Sequence, residues 1–197
     1  MDKSYLIKDI FSDTITLATN VRETLSSDIV EVSELIFARL MNGNKIMACG
    51  NGGSAGDSQH FASELVNRFE IDRNELAGLA LTADSSTITS IANDYGYDKI
   101  FSKQIAALGK KNDILLAITT SGNSKNIIRA IEQAHKNDIT VILLTGKNGG
   151  KASAALKHED REFRVPSNST ARIQEMHLIV IHCICSLIEN NLVKNNE

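Results

Sequence analysis

Two short stretches, Ile114-Leu115-Leu116-Ala117-Ile118 and Val141-Ile142-Leu143-Leu144, are apolar at every successive position. A strand with one face in water alternates polar and apolar residues, so an unbroken run of this length belongs to a strand covered on both faces. Three further runs of strand length, Ile46 to Cys49, Leu79 to Leu81 and Phe163 to Val165, bring the set to five. Amphipathic stretches of helical length lie between them: Asp57 to Phe69, Thr87 to Ile91, Ile100 to Leu108, Asn126 to His135 and Lys151 to Leu156. This alternation predicts an α/β fold with a doubly wound, five-stranded parallel sheet flanked by helices.

The two ends of the chain read as helix. Residues 1–42 carry a rough apolar face at Ile7, Ile10, Phe11, Ile15 and Leu17, and Ser26 or Ser27 is placed to cap a second helix reaching Met41. The only proline, Pro166, closes the last strand and precedes a long helix from Ala171 to Asn191. No linker, repeat or low-complexity segment divides the chain, so 1–197 reads as one domain, a helical segment over 1–42 followed by an α/β core over 43–197.

Composition excludes several classes. A formal net charge of -3 gives no general electrostatic reason to bind nucleic acid or an anionic membrane. No apolar run approaches the ~20 residues that cross a bilayer, and the start Met1-Asp2-Lys3-Ser4-Tyr5 lacks the basic-then-apolar pattern of a secretory signal. Three cysteines, Cys49, Cys183 and Cys185, do not form a disulfide framework, and a reducing cytoplasm is expected. Cys183 and Cys185 read as buried thiols on divergent helix faces.

Two loops at strand ends are built for an anion. The first strand runs into Gly50-Asn51-Gly52-Gly53-Ser54-Ala55-Gly56-Asp57, and the run 114–118 leads into Thr119-Thr120-Ser121-Gly122-Asn123-Ser124. Glycines admit close backbone approach, hydroxyl and amide side chains add donors, and each loop opens a helix whose first N–H groups attract negative charge. Either loop alone is equally a tight, capped turn. Both on the same sheet edge point to a small anionic ligand.

The residues suited to chemistry lie on two helices. His60 and Glu64, spaced i, i+4, share one face, where they can meet a metal, a substrate or only each other. On the last helix His182 falls in an apolar half, as a hydrogen-bonded core residue, a ligand or an acid–base group, and His177 competes for the same roles. Gln174 and His182 are about 12 Å apart along an ideal helix, so both reach one ion only with extended side chains or from different subunits. Asn93-Asp94, before Tyr95-Gly96, forms another polar cluster that also reads as a turn.

Taken in order, Cys49 to Ser54, His60 through Glu64, Ala92-Asn93-Asp94, Thr120 to Ser124, Leu144-Thr145-Gly146 and Ala171 to Glu175 resemble the bacterial phosphoheptose (sedoheptulose 7-phosphate) isomerases of the sugar isomerase (SIS) domain superfamily. The resemblance spans essentially the whole chain and implies a flavodoxin-like SIS domain with N-terminal helices. It implies aldose–ketose isomerisation of D-sedoheptulose 7-phosphate to D-glycero-D-manno-heptose 7-phosphate, feeding surface polysaccharide. It further implies a zinc ion on His60, Glu64, Gln174 and His182, although glutamine is an unusual zinc ligand. Substrate contacts would come from Asn51, Gly52, Gly53, Glu64, Asn93, Asp94, Thr119, Thr120, Ser121, Ser124 and Gln174. Glu64 is then the catalytic base and His182 the acid, in a homotetramer with active sites at subunit interfaces.

Two other functions share this pattern. A non-enzymatic regulator of the same fold that binds the bacterial replication initiator resembles the chain at Asn67 to Glu70 and Ala171 to His177, but looks to lack the glutamate and last-helix histidine present here as Glu64 and His182. Sugar-phosphate-sensing SIS modules usually adjoin a DNA-binding segment, and none is visible here.

Overall fold

The computed structural model describes residues 3–194; the first two and last three residues of the expected single-domain span lie outside it. Five strands, β1 (Ile46–Gly50), β2 (Gly78–Ala80), β3 (Ile114–Thr119), β4 (Thr140–Gly146) and β5 (Arg161–Val165), form one all-parallel sheet in the order β2-β1-β3-β4-β5. That order is the flavodoxin-like one, with its topological switch point between β1 and β3. The helices are α1 (Ser4–Met41), α2 (Gly53–Val66), α3 (Ser85–Tyr95), α4 (Ile100–Leu108), α5 (Lys125–Lys136), α6 (Gly150–Ala154) and α7 (Thr170–Lys194).

The uninterrupted apolar runs are explained by two separate cores. Ile114, Leu116, Ile118, Ile142 and Leu144 face a layer made by α1, α2 and α7, while Leu115, Ala117, Val141 and Leu143 face α4, α5 and α6. Successive side chains point to opposite faces, so a strand buried on both sides has no position left for a polar residue.

The N-terminal segment differs from expectation: it is one 38-residue helix, not two. The Ser26 hydroxyl does not cap a new helix; it donates back to the Arg22 carbonyl one turn earlier, an arrangement available only inside continuous helix. Leu17, Val21, Leu25, Ile29, Val32, Ile36 and Leu40 form the buried stripe of α1, which packs along α7. Helix α3 is also longer than expected. Asp84 caps its start through the Thr87 N–H, and Gly96, at φ 96°, ends it, so Asn93 and Asp94 lie in its last turn and not in a loop.

By length and composition α7 could cross a bilayer, contrary to the expectation that no segment would, but Ile173, Met176, Val180, Ile181, Ile184 and Ile188 are buried in the core. Cys185 is buried and Cys183 is exposed, which corrects the reading of both as buried thiols.

Candidate active site

Both anion loops lie at the carboxyl ends of β1 and β3, flanking the switch point where open α/β sheets bind ligands. Neither α2 nor α5 receives a side-chain cap from its N-cap residue, Gly52 and Ser124 respectively, in contrast to α3. No N-cap side chain therefore competes with an anion at either helix start, although the Ser54 and Ala55 N–H groups of α2 and the Ile127 N–H of α5 already donate to the Asn51, Gly52 and Ser124 carbonyls.

The first loop is tight at two of its glycines: a Cβ on Gly50 would lie 2.3 Å from the Ser54 carbonyl oxygen, while Gly52 and Gly56 face open space. A Cβ on Gly53 would lie 2.0 Å from Nε2 of Gln174, so Gly53 is where α7 closes on the start of α2. In the second loop Gly122 adopts φ 67°, and a Cβ there would meet the Gly149 carbonyl oxygen at 2.0 Å. The Gly122 carbonyl in turn accepts the Ala152 N–H at 2.8 Å, tying the β3–α5 loop to α6. Thr119, buried at the end of β3, shares a 3.3 Å hydrogen bond with Ser124. The Ser121 hydroxyl accepts the Asn123 N–H, while Thr120 and Ser121 are half-buried.

The two loops are locked together by a pair the sequence reading missed. Asn51 Nδ2 donates to Asn126 Oδ1 at 2.9 Å, and Asn126 Nδ2 donates back to Asn51 Oδ1 at 2.8 Å. The Tyr97 hydroxyl donates to the same Asn51 oxygen at 2.9 Å. Asn51 is thus occupied chiefly in bridging the switch point, and one Nδ2 hydrogen remains for a ligand. Asn51, Tyr97, Asp98, Ser124, Lys125 and Asn126 line a cleft of about 370 Å³, within the ordinary range of small-molecule sites. Asn126 lies two residues past Ser124, so its place beside the loop was the available signal.

The second group of candidates meets where α2 and α7 run side by side. His60 Nε2 and His182 Nε2 lie 2.9 Å apart, and His60 Nε2 is 3.4 Å from Glu64 Oε1. Phe69 stacks at a tilt on His182, with ring centroids 5.5 Å apart. His60, Glu64 and His182 are linked through His60; among the described residues no three His, Cys, Asp or Glu side chains form a ready-made metal cluster. Gln174 is not joined to them: its amide packs on Gly53, seven residues before His60 on α2. Asn93 and Asp94 bond to each other at 2.9 Å and are exposed on α3.

His177, the competing histidine, belongs to the core. It is fully buried and bonded at 2.9 Å to the Thr145 carbonyl, and burial lowers its pKa to about 4, only partly opposed by that bond. Asp57, one turn before His60, is a buried carboxylate with Oδ2 unpartnered; burial raises its pKa, and the neighbouring His60 lowers it. No spacing rule singles it out, because an aspartate in the first turns of a helix is ordinary.

These loops at the switch point of a parallel sheet define an α/β protein built to hold a small anion, and the family model described as the SIS domain matches residues 11–146. The phosphoheptose isomerase of Shewanella sediminis is 56% identical over 191 residues, covering 97% of each chain. The solved phosphoheptose isomerase of Neisseria gonorrhoeae is 46% identical with a TM-score of 0.90, over 95% of this chain and 98% of that one. The one from Francisella tularensis is 43% identical with a TM-score of 0.94, over 96% and 100%. The chain belongs to the phosphoheptose isomerase family of SIS-domain proteins, and the comparisons favour the isomerase over the initiator-binding regulator.

Proposed function

We propose that the chain interconverts D-sedoheptulose 7-phosphate and D-glycero-D-manno-heptose 7-phosphate by proton transfers centred on Glu64 and His182. The observation that carries this reading is the joining of His60, Glu64 and His182 on the α2–α7 seam, along the same helix that the first anion loop opens. Along α2 the rise from Gly53 to His60 is about 10 Å, a separation that a seven-carbon chain with a terminal phosphate can bridge. The phosphate would sit on the amides and hydroxyls of the glycine-bearing loops, and the carbonyl end beside the histidines.

Aldose–ketose exchange removes a proton from the carbon next to the carbonyl and returns it to the neighbouring carbon through an enediol. Glu64 takes and returns the carbon-bound proton, with His60 beside it to keep the carboxylate on the seam. His182 delivers a proton to the carbonyl oxygen and accepts one from the adjacent hydroxyl. Asn51, Gly52, Gly53, Thr119, Thr120, Ser121 and Ser124 hold the phosphate end, with Asn93, Asp94 and Gln174 as further substrate contacts.

The donor set also suits zinc. Two imidazole nitrogens 2.9 Å apart, with a carboxylate oxygen 3.4 Å from one of them, are of the nitrogen and oxygen donor types that zinc takes. His60 and His182 would hold it through Nε2 and Glu64 through one carboxylate oxygen, which leaves His182 Nδ1 and the other Glu64 oxygen for the proton transfers; Gln174 would complete the shell only by turning away from Gly53. Bound there, zinc supplies polarisation of the sugar carbonyl.

We assign the enzyme to the cytoplasm, supplying heptose for surface polysaccharide, and to a homotetramer with active sites at its interfaces. The apolar side chains left exposed along the start of α1 support the assembly. A coupled assay with sedoheptulose 7-phosphate tests the activity. Turnover should be lost on chelation and restored by zinc; an enzyme that never converts this substrate overturns the isomerase, and turnover indifferent to chelator overturns the metal.

A further inference from the structure

Glu189 is a carboxylate 4% exposed, on the same helix as His182 and two turns beyond it. It accepts three consecutive backbone N–H groups, from Phe69 at 2.9 Å, Glu70 at 3.0 Å and Ile71 at 3.1 Å. It also pairs with Arg73 Nε at 3.3 Å, and the Arg73 side chain is itself 7% exposed. Arg73 in turn donates to the carbonyls of Glu64, Leu65 and Asn74. The guanidinium thereby satisfies orphan carbonyls in the last turn of α2, including that of Glu64 itself.

Burial of an ion pair seldom adds much stability by itself, because desolvation offsets the attraction. Here the pair instead fixes the position of two groups. It closes the end of the helix that bears His60 and Glu64, and it pins the 69–71 turn so that the Phe69 ring lies on His182. Cys185, one turn before Glu189 on α7, is buried at this junction, where Glu64, Glu189 and Arg73 all act on its thiol.

We propose that Glu189 and Arg73 are positioning residues, which hold the Phe69 ring against His182 and anchor the C-terminal turn of α2 behind Glu64. The proposal rests on the isomerase reading for its consequence, not for its geometry. A misplacement of about 1 Å at reacting groups can cost on the order of 100-fold in rate, whereas the phosphate loops lie at the other end of α2 and are untouched by the pair.

The test compares full-length wild type with Glu189→Gln and Phe69→Leu by amide hydrogen exchange, by NMR of the histidine rings and by steady-state kinetics. In Glu189→Gln the 69–71 amides should exchange at least about tenfold faster while β3 and β4 keep their protection. The His182 ring resonances should shift, and kcat should fall about tenfold or more with KM within about twofold. Phe69→Leu, which leaves the clamp in place, should reproduce the His182 shift and the kcat loss without faster exchange at 69–71, and it decides the matter should Glu189→Gln not fold. Unchanged His182 resonances in either folded variant, or a loss confined to KM, overturn the proposal. Should the wild type not isomerise sedoheptulose 7-phosphate, the functional reading fails, and exchange and ring resonances still judge the positioning pair.

Discussion

His177 and His182 stand five residues apart on α7, and the fold gives them opposite environments. His182 is half-buried and meets His60 and Phe69; His177 is sealed beneath β4 with Nε2 on the Thr145 carbonyl and Nδ1 buried without a partner. The bond to a carbonyl fixes the proton on Nε2, so a second proton would have to enter an unpartnered, buried site. The depressed pKa, about 4 against 6.5, has a definite sign: above pH 6.5 both folded and unfolded forms are neutral and the full stability is present. As pH falls from 6.5 toward 4 the unfolded state alone gains a proton, and folding weakens by of order 3 kcal/mol. Denaturant titrations from pH 7 to 4 should show this loss, and His177→Gln should flatten it. The sequence could not separate the two histidines, because both adjoin apolar residues on the same helix and only the register against β4 decides. The place of Asn126 beside the second loop was visible, but its pairing was not, because its partner Asn51 is 75 residues away. Asn126→Ala should raise KM by roughly tenfold, since the half-buried Asn51 amide loses both bonds that hold it, a cost of ~1–2 kcal/mol, with a smaller effect on kcat.

At the scale of elements, the strands were the most legible part. An apolar run over 114–118 has one fate in a chain of this composition, and the structure places it in the middle of the sheet. Helix ends were less legible because short polar side chains have two local options: the Asp84 carboxylate caps α3, while the Ser26 hydroxyl bonds back within α1. The loops owe their shape to contacts between loops, which no local pattern reveals; Gly122 needs both its positive φ and the space that Gly149 leaves it. Gly122→Ala should therefore cost roughly 3 kcal/mol. In a chain of this size that should lower Tm by about 10 °C, and KM for the sugar phosphate should rise as the second anion loop is displaced. A Tm within a degree of wild type would show that the loop tolerates a side chain.

For the whole molecule, the start of α1 makes the clearest statement. Tyr5, Leu6, Ile7, Ile10, Phe11 and Ile15 are all more than 40% exposed, upstream of the stripe that packs on α7. A cluster of apolar side chains of this kind marks a protein contact, and the tetramer assigned above would cover it. Phe11→Asp combined with Ile15→Asp should lower the mass seen in sedimentation while the far-UV spectrum stays unchanged; a wild type sedimenting as a monomer would refute the assembly. The same scale explains how the site becomes visible at all. Residues 60, 64 and 182 belong to distant parts of the sequence, and the parallel course of α2 and α7 brings them together. The most direct measurement is turnover of sedoheptulose 7-phosphate by wild type, Glu64→Gln and His182→Gln, each checked for a cooperative unfolding transition. Loss of an acid or base should lower kcat by at least about 100-fold in both folded variants, and wild-type-like turnover in both would contradict the assignment of Glu64 and His182 as the acid–base pair.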